Sequence, residues 1–279
     1  MLKYSHFLIR YLSYPILSVT TLAIVLLMAY QKIPYWPSAL VCIVSISVMV
    51  AMLERFLPYQ QKWLHDQEDT FTDIFHAIFN VALILITATI LQFILKFEFF
   101  SKLWPIQWPI WVQFLLVGII IDFGLWYMHK LSHRRRWLWK LHAIHHQPKR
   151  LYWLNGEKRH PLSAIALATP GLLVLTILGA PTLLIGCWLT FTAVHLSFQH
   201  ANLDYRAGPL KHVFAVAEVH RWHHKQGFGS KNFAEVFVIW DHIFGTFHYE
   251  EKAVSADSLG IRTPISNRYF KQLLWPFKK

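Results

Sequence analysis

Apolar residues in this chain run in long blocks separated by short polar or proline-containing stretches. Residues 11–30, 35–53, 74–95 and 106–128 each approach or exceed the ~20 residues that a membrane-spanning helix requires. A further apolar region, 162–198, is interrupted by Gly179, Ala180 and Pro181, a combination that turns the chain between two half-buried or spanning helices. The pattern predicts a helical hairpin there, entering and returning on the same side. Apart from that hairpin, the sequence from about Lys130 onward is polar, charged and rich in histidine. The expected fold class is all-α: a multi-span transmembrane helical bundle with a cytosolic helical cap.

Composition agrees with a membrane protein. Of the 279 residues, 55% are hydrophobic and only 15% charged, outside the range of ordinary soluble domains. If the N-terminus is cytoplasmic, the outer loops carry only Lys32, Lys96 and Lys102, and the remaining 24 of the 27 basic residues lie on the cytoplasmic side. The net charge of +12 then reflects topology and attraction to anionic head groups, and no nucleic-acid partner is needed to explain it. Lys3 and Arg10 precede the first apolar run, and no small-x-small cleavage site occurs before Gln31, so a retained anchor is expected. Cys42 and Cys187 fall inside predicted spans, which argues against a disulfide framework and against an iron-sulfur cluster. One integral-membrane domain, 1–279, is the simplest organisation, with transmembrane helices over 1–121, a histidine-rich region over 122–250 and a cytosolic tail over 251–279. Its expected location is a bacterial inner membrane or the endoplasmic reticulum.

Histidine carries the candidate chemistry. The stretch from His129 to His224 contains twelve of the chain's 17 histidines, against three (His6, His65 and His76) in residues 1–128. They are grouped as His129 and His133, then His142, His145 and His146, then His220, His223 and His224, with His200 standing alone. The spacings HxxxH, HxxHH and HxxHH put each cluster on one helical face, aiming two or three imidazoles at one point. Neutral imidazole binds iron, zinc or copper, and eight or nine such ligands are about twice what one ion uses, so two metal ions are the natural reading. Solvated histidines in a basic, membrane-facing segment are the plainer alternative, and the concentration at helical spacing speaks against it.

The order of these clusters and their flanking residues resembles the fatty acid hydroxylase and sterol desaturase superfamily of membrane di-iron enzymes. The likeness runs through DFGLWYMHKLSH (122–133), WKLHAIHH (139–146), WLNGEKRHP (153–161), FQHAN (198–202), HRWHH (220–224) and NFAEVFVIWDHIFGTF (232–247). It implies metal ligation by His129, His133, His142, His145, His146, His200, His220, His223 and His224, with two iron ions as cofactor, zinc as a substitute, and O2 as co-substrate. His160 lies in the arginine-x-His-Pro element, where Arg159 directly precedes it and one intervening residue is expected, which suits a supporting role better than ligation. His195, within an apolar helix, is expected to pack in the core or along a substrate channel.

Three polar residues are the candidate catalytic set beside the ligands. Asp122 is an acidic residue in an apolar span, seven positions before His129 and on nearly the same face, where it needs a partner or a function and could orient a ligand imidazole. Asp241 is a similar candidate, with a turn ahead of Gly245 as the alternative, and Asn232 could orient a water or a histidine or serve a turn beside Gly229 and Ser230. The resemblance implies hydroxylation or desaturation of a membrane lipid (sterol, fatty acyl, carotenoid or ether lipid); both reactions begin with the same hydrogen abstraction. No CxxCH, HPGG or Gly-rich dinucleotide fingerprint occurs, so electrons must come from a separate protein, and the resemblance implies cytochrome b5 or a ferredoxin with its reductase. A metal-ion transporter would need polar groups along several spans, which offer chiefly His76, Asn80, Gln113, Asp122 and His195. An inactive scaffold of the same fold would more naturally have lost ligands.

Overall fold

The computed structural model describes residues 2–95 and 103–278, so Lys96 and Lys102 lie outside the described residues. The described residues are helical, with no β-strands among them. The bundle consists of α1 (Leu2–Ala29), α2 (Tyr35–Phe56), α3 (Thr70–Leu95), α4 (Ile110–Arg134), α6 (Pro161–Leu178) and α7 (Thr182–His200). Among the described residues five helices, α1, α2, α4, α6 and α7, are long and apolar enough to cross a membrane. Shorter helices α5 (Arg136–His146), α8 (Ala217–His224), α9 (Ile239–Ile243) and α10 (Tyr269–Leu274) build the cap.

The hairpin between α6 and α7 forms as the breakers dictate. Gly179, with φ 75°, takes the left-handed conformation that ends α6, and Pro181 N-caps α7. The fourth span starts at Ile110, four residues later than the hydropathy suggests, because Pro109 caps it and the preceding loop is pinned to its first turns. Trp104 Nε1 donates to Gln113 Oε1 at 2.7 Å, and Gln113 Nε2 donates to the Trp108 carbonyl at 2.7 Å. Helix α7 is central, buried along nearly its whole length and packed by α1, α2 and α4.

Helices α4 and α6 approach through glycine on both sides. A Cβ on Gly124 would stand 2.7 Å from the Gly171 nitrogen, and one on Gly171 would stand 2.8 Å from the Ile121 Cα. Small residues at such a crossing let two backbones gain dispersion contacts that lipid cannot match. Gly171→Val should therefore separate the pair, costing roughly 1–3 kcal/mol of overpacking strain. The measurement is the melting temperature of detergent-solubilised protein, and an unchanged value would refute the close-packing account.

The cap does not stay on the surface. Residues 233–240 descend beside α4, where Val236 N and Phe237 N donate to Asp122 at 2.9 and 3.0 Å, two helical turns below His129. Their neighbours at that depth are Trp188 and Phe214, whose rings lie 5.6 and 5.8 Å from that of Phe237. Irregular backbone is tolerated at membrane depth only when buried in protein with its polar groups satisfied, and the Asp122 carboxylate meets that requirement. The C-terminal segment is likewise not a free tail. His76 Nε2 lies 2.8 Å from Gln272 Oε1, His160 Nε2 bonds the Leu273 carbonyl at 3.1 Å, and Gln60 donates to the Val254 carbonyl at 2.9 Å.

Candidate metal centre

Four helices bring the nine histidines together. His129 and His133 come from the last turns of α4, His142, His145 and His146 from α5, His200 from the end of α7, and His220, His223 and His224 from α8. They form two groups: His129, His133, His142, His146 and His223 in one, and His145, His200, His220 and His224 in the other. Within each group the ligand atoms all lie within 4.8 Å of one another. The groups abut, with the rings of His146 and His224 4.5 Å apart.

This arrangement differs from the expectation that each cluster aims at one point. In both HxxHH motifs the first and last histidines serve one group and the middle one crosses to the other. Helical geometry allows this, since residues i+3 and i+4 leave the axis about 100° apart. His145 thus joins the α8 pair and His223 joins the α5 pair. His129 and His133 complete the five-membered group and His200 the four-membered one.

The hydrogen bonds of the rings fix their tautomers. Nδ1 of His129 donates to the Phe233 carbonyl at 2.8 Å, that of His145 to Lys158 at 3.2 Å, that of His200 to Leu196 at 3.0 Å, and that of His223 to Lys231 at 2.7 Å. With the proton on Nδ1, each Nε2 presents a lone pair inward. His145 Nε2 and His200 Nε2 face each other at 3.3 Å, and His200 Nε2 and His220 Nε2 at 3.2 Å. His146 Nε2 lies 3.1 Å from His223 Nε2 and 3.2 Å from His142 Nε2. In the His145–His200 pair both protons are held on Nδ1, so two lone pairs face each other and repel unless a cation lies between them. Neighbouring nitrogens on one ion at about 2.1 Å stand about 3.0–3.4 Å apart, so the donor set fits a metal. The buried Nε2 atoms of His129 and His133 have no hydrogen-bond partner, which the same cation would supply.

Burial, reinforced by neighbouring imidazoles, holds His142, His145, His146, His220 and His224 well below the ordinary histidine range, and burial brings His223 to about 4. The rings are therefore neutral at neutral pH, the form that ligates.

The carbonyls that orient these rings are themselves held by buried carboxylates and amides. Asp241 accepts from Phe233 N at 3.0 Å, Ala234 N at 2.9 Å and Trp126 Nε1 at 2.9 Å, which fixes the Phe233 carbonyl against His129. Asn232, with φ 56°, ties the same segment to α8 by donating to the Val219 carbonyl at 2.9 Å. Asp122 touches no imidazole. Seven residues are two turns, about 10 Å along the axis, too far for the hydrogen bond to His129 that shared helical phase suggests. It holds Val236, Phe237 and Trp240 instead. Asp122, Asn232 and Asp241 thus act on backbone, indole and hydroxyl groups. His160 caps α6 by accepting from Leu162 N at 3.1 Å, and His195 is a core residue bonded to the Ala215 carbonyl at 3.3 Å.

The carboxylate beside a candidate ligand is Glu235, whose Oε1 lies 3.5 Å from His129 Nδ1 and whose Oε2 accepts from Arg159 at 2.7 Å. On the other side, buried Lys158 pairs with buried Asp73, which also accepts from Tyr152 Oη and Asn155 Nδ2. That network sets the Lys158 carbonyl on His145. The sequence pattern does not single out Glu235, Lys158 or Asp73. A usable signal was an aspartate at the head of an apolar helix, which is costly in a membrane unless paired.

Three cavities lie within the bundle and cap. One of about 390 Å³ lies among α3, α4, α6 and α7, with Leu125 one turn from His129 and Leu196 one turn from His200 on its wall. A second of about 420 Å³ lies among α2, α3 and α7. A third, of about 380 Å³, is bounded by His133, Arg134, Trp139, Gly229, Ser230 and Phe233.

Fold and site define a multi-span helical membrane protein with an all-histidine centre under apolar cavities. Comparison with known proteins gives the family. Residues 114–246 match the fatty acid hydroxylase family model. The ornithine lipid hydroxylase OlsE of Rhizobium tropici is 34% identical over 249 residues, covering 84% of this chain and 74% of that one. Methylsterol monooxygenase 1 of Rattus norvegicus is 27% identical over 79% of this chain and 81% of its own length. Alkylglycerol monooxygenase of Homo sapiens is 29% identical over 61% of this chain and 37% of its own. No solved structure matches the chain. The chain belongs to the fatty acid hydroxylase superfamily and is a membrane oxygenase of the hydroxylase and monooxygenase kind.

Proposed function

We propose that the two histidine groups hold two iron ions and that the protein hydroxylates an aliphatic position of a membrane lipid with O2. The balance is one C–H bond, one O2, two electrons and two protons giving one C–OH and one water. The observation that carries this reading is the set of inward-facing Nε2 lone pairs one helical turn from an apolar cavity. Iron bound there would supply the O2 reduction and the abstraction of hydrogen from an unactivated carbon. Relatives named as hydroxylases and monooxygenases favour hydroxylation over desaturation, and OlsE makes an ornithine-type lipid the first substrate to test.

The chain's own residues divide the task. Aliphatic side chains of the cavity between α4, α6 and α7 exclude water and align an alkyl chain entering from the bilayer. Along α6 the lining runs from Ala164 to Thr176, about 18 Å of helix. On the opposite side the cleft at His133 is rimmed by Arg134, and Arg135 and Arg136 are exposed beside it, a surface that suits an acidic electron donor such as cytochrome b5 or a ferredoxin. The excess of lysine and arginine beyond the spans supports a cytosolic orientation for this face.

The test is reconstitution of the two-iron protein with a competent reductant and extracted lipids under labelled O2. A lipid that gains one labelled oxygen is the expected result. If no lipid is altered by fully loaded, reduced protein, the oxygenase reading fails.

A further inference from the structure

The two lipid-sized cavities share a wall. The one of about 390 Å³ and the one of about 420 Å³ are both bounded by Ala193 of α7 and by Glu157, the last residue of the 153–157 turn. Most polar groups near that junction are engaged within the protein. Thr169, Thr176 and Thr192 donate to carbonyls of their own helices at 2.7, 2.8 and 3.0 Å. Ser47 and Ser197 bond each other at 2.8 Å, and Arg159 is taken by Glu235 at 2.7 Å.

Glu157 and Asn80 each leave an acceptor unengaged. Among the described residues the Glu157 side chain makes no hydrogen bond, and its uncovered surface opens on the two cavities. Asn80, only 4% exposed, donates its amide to the Glu157 carbonyl and leaves Oδ1 buried without a partner. Burial pushes the Glu157 carboxyl above its ordinary range, against the pull of Arg159. An unpaired buried acceptor is unfavourable, and an occupant carrying a donor would satisfy it. The anchor is also close to the reacting centre, since Ala193 is seven residues, about 10 Å of helix, from His200.

We propose that Glu157, together with Asn80, is a polar anchor selecting a lipid with a hydrogen-bond donor, an amide N–H or a hydroxyl, at the junction of two apolar chains, one in each cavity. The inference rests on the lipid-oxygenase reading and adds the substrate feature that is recognised. Glu157 acts as a hydrogen-bond acceptor, so an uncharged acceptor of the same shape preserves selection.

Full-length, iron-loaded protein in detergent is offered an equimolar mixture of a two-chain N-acyl amino-acid lipid, its other donors methylated, and the isostere with an ester oxygen in place of the N–H. Bound lipids are counted by native mass spectrometry. The wild type should enrich the N–H lipid by about tenfold or more, the range of one hydrogen bond to a buried acceptor. Glu157→Gln should keep that preference. Glu157→Leu should bind both lipids alike at unchanged iron content. Equal retention or retention of neither by the wild type, loss of preference in the glutamine variant, or its persistence in the leucine variant would overturn the proposal. Oxygenated product is scored separately, so the anchor and the oxygenase reading fail by different results.

Discussion

His145→Ala should reduce bound iron from about two per chain to about one and lower turnover by more than 100-fold, because loss of even a supporting residue at a metal site costs about 10–100-fold. The asymmetry of the two groups makes this sharper than a general loss of metal. His145 belongs to the four-membered group, which would fall to three imidazoles, whereas His223→Ala leaves four in the other. His145 also faces His200 Nε2 at 3.3 Å and draws its own orientation from the Lys158 carbonyl. The variant lacking His223 should therefore hold more iron than the one lacking His145, although its activity also falls. Metal analysis of anaerobically purified protein reads both. Equal metal in wild type and His145→Ala would remove His145 from the ligand set, and one metal per wild-type chain would remove the dinuclear reading.

The spans and the nine histidines were legible because both signals are local. Hydropathy over twenty residues needs no knowledge of neighbours, and a histidine pair at i, i+4 announces its shared face within one turn. What each histidine joins is not local. The crossing of His145 and His223 between groups depends on how α5 and α8 face each other, which spacing alone leaves free. The descent of residues 233–240 was hidden for a related reason: the stretch is short, mixed in character and held by acceptors far away in sequence. Asp122 lies 114 residues from Val236, and Arg159 lies 76 from Glu235. Asp122 was rightly conspicuous as an acid in a span, but its partners are two backbone amides and a distant indole that no local side-chain pattern displays.

Asp241→Asn should be the most damaging of the substitutions outside the histidines, and its contrast with Asp122→Asn separates two kinds of support. Asp241 accepts from Phe233 N, Ala234 N, Trp126 Nε1 and Thr246 Oγ1, all in the interior. Asparagine keeps one acceptor oxygen and turns an N–H2 toward donors, so at least one buried donor is stranded and another is opposed. Each buried donor stranded in this way costs about 1–3 kcal/mol. The same change frees the Phe233 carbonyl from its place 2.8 Å from His129 Nδ1, and weaker orientation of that ring should lower iron affinity by about 10–100-fold. Asp122→Asn strands donors on Val236, Phe237 or Trp240, two turns away, while Asp241 still holds Phe233. It should lower the melting temperature yet release iron to a chelator at the wild-type rate. Thermal unfolding and chelator competition on the two variants side by side give the answer. If Asp241→Asn keeps wild-type iron retention, the Phe233 carbonyl does not depend on Asp241 for its position, and if Asp122→Asn alone loses iron, the descending segment rather than the carboxylate beside it orients His129.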